Sequence, residues 1–186
     1  MKLQLAISTI ALLGTISANA HTFGALTIAG PGCVNKTSEL KVISQEESLY
    51  ALPLNLYVKK EADTGLARKA CTASLVVSLA SDEKLVIENV SQKVNTRVNA
   101  GGTAKAQLEV FLAGQTGEVL KAESVAADKY VNSRHHLSQE GVVTESNCGG
   151  DVIVRANASA IAMAAAKVSV YHEDLKLKLK VVKCAQ

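Results

Sequence analysis

Histidines, carboxylates and cysteines are the residues with which this chain of 186 amino acids could do chemistry, and each class points in a different direction. His21 follows a stretch that reads as a cleavable targeting segment, so cleavage makes it the first residue of the mature chain. A terminal histidine offers both its amine and a ring nitrogen, donors that suit copper. A second histidine, His135, His136 or His172, would complete the histidine brace of a secreted copper-binding oxidase, with Tyr130 or Tyr171 as an axial neighbour. His21, His136 and His172 are therefore the metal-ligand candidates, and copper is the alternative to a chain that uses no cofactor.

Other groupings carry less. His135 and His136 are adjacent, and neighbours on a polar stretch point apart unless the backbone bends. Ser138, His172 and Asp174 supply the residue types of a hydrolytic triad, but no Gly-x-Ser-x-Gly elbow is present. Asp63, Asp82, Glu83, Asp128, Glu173 and Asp174 fall in or near turns, where calcium could be held, yet without EF-hand spacing. Asn35-Lys36-Thr37, Asn89-Val90-Ser91 and Asn157-Ala158-Ser159 have the N-glycosylation pattern, which matters in a eukaryotic source. No catalytic residue is assigned.

Cys33, Cys71, Cys148 and Cys184 make an even number of cysteines in an exported chain, which indicates two disulfides. Structural zinc sites bring their ligands in close pairs, and these four stand far apart. Three connectivities are open to them. We expect Cys33–Cys71 and Cys148–Cys184, since each pair joins segments near one end of the chain. Each bridge would close a loop of about 35 residues and contribute on the order of 3 kcal/mol by constraining the unfolded chain. Bridged thiols cannot act as nucleophiles.

The elements that must position these residues are strands. Residues 1–20 are set aside as a signal peptide, with Lys2 as basic start, an apolar run from Leu3 to Ile16 and Ala18-Asn19-Ala20 as cleavage site. That run falls short of the roughly 18 apolar residues of a membrane span, and no cysteine follows the cleavage site to carry a lipid. Residues 21–186 are expected to form one secreted domain, extracellular or, in a Gram-negative source, periplasmic. A formal charge of +3, scattered among nearly balanced acids and bases, is too weak to imply nucleic acid or an anionic membrane as partner. With no tryptophan, two phenylalanines and four tyrosines, the chain is poor in the rings on which sugars or bases stack.

Period-2 alternation recurs along the chain. Phe23 to Ile28 is a short apolar strand, stopped by the turn-forming Gly30-Pro31-Gly32 ahead of Cys33. Leu40 to Ile43 and Leu49 to Val58 follow, and Pro53, lacking an amide proton, puts the second at an edge or a bulge. From Arg68 to Leu79 an oily face of Cys71, Ala73, Leu75, Val77 and Leu79 alternates with a mostly hydroxylic one. Lys84 to Val90 and Val94 to Val98 read as two strands, and Ala104 to Leu112 is the cleanest alternation of all. Glu118 to Asn147 is polar and weakly periodic, which predicts long loops with one or two short strands. Val152 to Ala160 alternates again, and the alanine-rich stretch to Lys167 has high helix propensity but lies between strands without a cap. Leu175 to Val181 alternates with lysines that make a solvated face and discourage edge-to-edge aggregation. Such a pattern predicts an all-β antiparallel β-sandwich, immunoglobulin-like or jelly-roll-like.

Gly30-x-Gly32-Cys33, Arg68-Lys69-x-Cys71, Ser146-x-Cys148-Gly149 and Lys183-Cys184, with Arg97 ahead of a glycine turn and a strand, occur in that order across nearly the whole mature chain. Together they resemble a secreted four-cysteine family of fungi and bacteria catalogued as domain of unknown function 4360. The resemblance implies secretion and a β-rich domain, and it offers no activity or catalytic residues. The resulting expectation is a monomeric, non-catalytic binding or structural module of the extracellular space or cell envelope, its partner unidentified. The copper-binding oxidase is the alternative, and a surface-fibre subunit that exchanges a terminal strand is a further one.

Overall fold

The computed structural model describes residues 21–34, 39–61, 65–164 and 167–185. The expected targeting segment, the Asn35 glycosylation pattern and Asp63 lie outside those residues. The chain folds as an all-β sandwich of two antiparallel sheets. The smaller sheet has the order β1 (Thr22–Ala29), β5 (Leu66–Leu79), β10 (Gly150–Ala164), β7 (Gly102–Leu112), β8 (Val119–Ala126). The larger has the order β2 (Lys41–Ser44), β3 (Leu49–Leu52), β12 (Leu175–Lys183), β6 (Glu83–Val98), β11 (Val168–His172), β4 (Leu56–Lys60), and β9 (Val131–Glu145) takes the other edge of β6.

Alternation decides which face is buried. The predicted oily set of β5, from Cys71 to Leu79, lies in the core, and so do Ala104, Ala106, Leu108, Val110 and Leu112 of β7. β10 turns Ala156, Ala158, Ala160 and Ala162 inward and packs on β4 and β11. These small side chains leave room for bulkier residues from the facing sheet, as close packing requires. Helix propensity loses on β10 because its backbone is hydrogen-bonded on both sides, to β5 and to β7.

The structure departs from the sequence reading in four places. The expected strand from Leu49 to Val58 is broken into β3 and β4, because Pro53 cannot donate to a ladder and Leu54 turns back to bond the Leu52 carbonyl. The two strands expected between Lys84 and Val98 are one, β6, which absorbs the irregularity in a bulge where Asn89 adopts a φ of 48°. The polar stretch expected to be mostly loop holds β8 and the long β9; each pairs with one neighbour and buries little, so its pattern is mostly polar. The lysines of β12 do not guard an edge, since β12 pairs with both β3 and β6; Lys178 and Lys180 instead meet Glu88.

Both expected disulfides form, Cys33–Cys71 and Cys148–Cys184. The first crosses between the sheets. Cys71 belongs to β5 of the smaller sheet, while Cys33 bridges Leu56 at the head of β4 in the larger. Gly32 donates to the Ala70 carbonyl and accepts from the Tyr57 amide, so the bend is stitched to both sheets. Gly30 is needed there: a Cβ would stand 2.4 Å from the Ala70 oxygen. The second bridge closes the opposite turns, where Gly149 donates to the Glu83 carbonyl and Cys184 to that of Asp82.

Candidate functional site

The residues expected to do chemistry are dispersed. His172 is fully buried on β11, and its Nδ1 pairs at 2.9 Å with Oε1 of Gln92. Gln92 is itself buried and donates through Nε2 to the carbonyls of Leu54 and Glu173, at 3.1 and 2.9 Å. Those carbonyls belong to the two chain breaks, one between β3 and β4 and the other between β11 and β12. Gln92 therefore closes a gap in the larger sheet. His172 has no bond to Ser138 or Asp174: Ser138 is exposed on β9, and Asp174 meets Lys41 at 3.9 Å. The triad of residue types is not assembled.

Burial pushes the His172 imidazole down to a pKa of about 4, opposed in part by the backbone of Ser159, while its Nε2 is enclosed without a hydrogen-bond partner. The unfolded chain titrates this ring near 6.5, so protonation favours unfolding. Stability from the neutral ring is fully present above pH 6.5 and is lost as pH falls toward 4, by on the order of 3 kcal/mol. A urea-unfolding series from pH 7 to pH 5, above the range where most carboxylates titrate, should show this slope, and His172→Leu should flatten it.

The other histidines have separate surroundings. His135 Nε2 lies 2.8 Å from Ser124 Oγ, and Thr96 Oγ1 is 2.7 Å from the same hydroxyl, a polar link between edge strands β8 and β9 of the two sheets. His136 is exposed in a shallow depression beside Glu173 and Asp174. His21 meets Phe23 edge-on, with ring centroids 6.0 Å apart. Among the described residues, no group of three or more His, Cys, Asp or Glu could hold a metal ion, so His21, His136 and His172 do not form a three-histidine site. Of the turn acids, Asp82 pairs with Lys183 at 2.8 Å, and Glu83 accepts from the Ala80 amide at the β5–β6 turn. Asn157 lies within β10 against Glu109, and Asn89 accepts from the Gly141 amide.

What the structure does assemble is a groove on the outer face of the larger sheet. Cross-strand register puts Tyr57, Tyr171, Asn95 and Arg134 in one row over β4, β11, β6 and β9. Lys59, Ser169, Arg97 and Asn132 form the next row. Strands stand about 4.8 Å apart and rows about 7 Å apart, so the rows cover an area some 14 Å across. The groove has a volume of about 590 Å³ and runs into a second of about 400 Å³, which shares Tyr57, Arg97 and Ser169 and adds Tyr130 and Lys167. Three of the four tyrosines thus line one surface, exposed by 39% at Tyr57, 36% at Tyr171 and 55% at Tyr130. The low ring count expected to disfavour a stacking platform is offset by this clustering.

The groove's polar groups are only partly engaged with one another. Arg134 Nε donates to Asn95 Oδ1 at 3.0 Å, and Asn95 Nδ2 donates to Glu173. Lys59 pairs with Glu61 through a hydrogen bond that holds the ammonium above and the carboxyl below their ordinary pKa values. Among the described residues, the side chains of Arg97 and Asn132 have no hydrogen-bond or ion-pair partner. The outer face of the smaller sheet differs: there Ser78 bonds Asp151, Asn157 bonds Glu109, Ser159 bonds Gln107 and Lys105 meets Glu123. Arg155 and Lys121 on that face also lack a side-chain partner among the described residues, so what sets the groove face apart is its three tyrosines and a concavity of the size that ligands occupy.

A family model described as Domain of unknown function (DUF4360) matches residues 21–184. No curated protein matches the sequence. Among solved structures, TmCBM61 in complex with beta-1,4-galactotriose is similar at 13% identity and a TM-score of 0.28, over 85% of this chain and 88% of that one. The family 11 carbohydrate-binding module from Clostridium thermocellum, in complex with a beta-1,3-1,4-mixed-linked tetrasaccharide, is similar at 7% identity and a TM-score of 0.26, over 89% and 91%. Overlaps as loose as these transfer no ligand.

Proposed function

The chain belongs to the family described as Domain of unknown function (DUF4360), and, with no activity to inherit from it, we propose that this protein is an exported, non-catalytic binding module. Its ligand lies along the groove of the larger sheet and is an extended, hydroxyl-rich polymer, a saccharide chain. The observation that carries the reading is the co-location of Tyr57, Tyr171 and Tyr130 with Arg97, Asn132 and Ser169 on one open face. Aromatic rings offer flat apolar surface to the CH faces of a sugar, while amide, hydroxyl and guanidinium groups meet its oxygens. A shallow polar trough across four strands suits a chain that passes over the sheet more than a small molecule that must be enclosed. Two disulfides support a life in an oxidising compartment.

Affinity electrophoresis in gels containing dextran, mixed-linked β-glucan, polygalacturonate or hyaluronate tests the reading. At least one polysaccharide should retard the wild-type protein. Tyr57→Ala/Tyr171→Ala should weaken that retardation at least tenfold with little change in melting temperature, since both rings are partly exposed. Retardation by none of the four, or equal retardation of the variant, would sink it.

A further inference from the structure

We infer that the groove selects an acid-bearing saccharide chain, one with carboxylate or sulfate groups; this rests on the binding reading above and names its ligand class. The whole molecule carries nearly balanced charge, 20 Lys and Arg against 17 Asp and Glu. The groove does not share that balance. Its lining holds Arg97, Arg134, Lys59 and Lys167 and no carboxylate. Two carboxylates stand at the margin: Glu61 is taken by Lys59 and also feels Lys167, and Glu173 accepts from Asn95. The two arginines have no carboxylate partner among the described residues.

Register explains why these charges act together. Arg97 faces Asn132 across the β6–β9 pair, and Arg134 is two residues further along β9, so the guanidinium groups are diagonal neighbours with backbones about 7 Å apart. Asn95 holds Arg134 by Nε, which leaves its terminal nitrogens to face a ligand. A guanidinium presents paired donors that match the two oxygens of a carboxylate or sulfate. Two such forks a short distance apart, flanked by tyrosines in the neighbouring strands, fit a chain that repeats an anion and a sugar face. The face carries fewer rings than a run of stacked bases needs, and four cations are few for a backbone with a phosphate at every nucleotide.

The matched test is polygalacturonate against fully methyl-esterified pectin, which share a backbone and differ in charge, with hyaluronate and dextran sulfate against dextran as further arms and oligo(dT) as the nucleic-acid arm. Acidic polymers should bind at least tenfold more tightly than their neutral counterparts, and raising sodium chloride from 50 to 500 mM should weaken them. Arg97→Gln/Arg134→Gln should lower acidic-polymer affinity at least tenfold, while Lys105→Gln/Lys121→Gln on the other sheet should leave it unchanged. Equal binding of neutral polymers, abolished by the tyrosine variant, would overturn the acid preference and keep the groove. Tighter binding of oligo(dT) than of any polysaccharide, or equal losses from the two charge variants, would also overturn it. Acidic-polymer binding untouched by the tyrosine variant would remove the groove reading itself.

Discussion

A Cys33→Ala/Cys71→Ala variant should lose roughly 4 kcal/mol of stability, the loop-closure value for the 38-residue separation of the two cysteines. With a urea dependence of about 2 kcal/mol/M for a domain of this size, the midpoint should fall by about 2 M. The effect reaches the groove because of where the bridge sits. Cys33 heads a bend whose Gly32 carbonyl accepts from the Tyr57 amide, and Tyr57 is the outermost ring of the first groove row. Freed from the smaller sheet, β4 has β11 as its one sheet neighbour, and edge strands held on one side open first. Polysaccharide retardation should therefore weaken before the fold is lost. A drop below about 1 kcal/mol would show that the bend is held by its hydrogen bonds alone.

Gln92→Leu is the second large effect. Leucine fills much of the same space but leaves the Leu54 carbonyl and the His172 Nδ1 without their partner in the core, and the Glu173 carbonyl without it at the core's margin. An unpaired buried polar group costs about 1–3 kcal/mol, and the added apolar surface returns part of that, for a net loss of roughly 3 kcal/mol. Equilibrium unfolding in urea reads it directly. A neutral or stabilising result would mean that the two chain breaks need no closure.

The fold was legible where one side of a strand is fully buried. From Cys71 to Leu79 and from Ala104 to Leu112 apolar residues hold every second position, and the structure puts that set in the core, leaving the two off-pattern apolar residues, Val76 and Phe111, half-buried on the outer face. It was illegible where burial is slight, as in β9, whose long pairing with β6 rests on backbone bonds that leave no mark in composition. Gln92 was hidden for a related reason: a glutamine among Val90, Val94 and Val98 reads as an interruption, and its worth depends on chain breaks that only the assembled sheet reveals. The groove was half visible. Tyr57 alternates outward against Leu56 and Val58, but Tyr171, Arg97 and Arg134 come from three distant segments, and only the register of β4, β11, β6 and β9 makes them neighbours. The four histidines drew attention for their chemistry, and the structure separates them into a core staple, an inter-sheet link, a half-buried ring against Phe23 and one exposed position.

The most direct test is amide chemical-shift mapping of residues 21–186 during titration with oligogalacturonate. The account predicts perturbations concentrated in Tyr57–Lys59, Asn95–Arg97, Asn132–Arg134 and Ser169–Tyr171, with the outer face of the smaller sheet, around Gln107, Glu109 and Asn157, undisturbed. Shifts centred on that second face, or none at millimolar ligand, would contradict it.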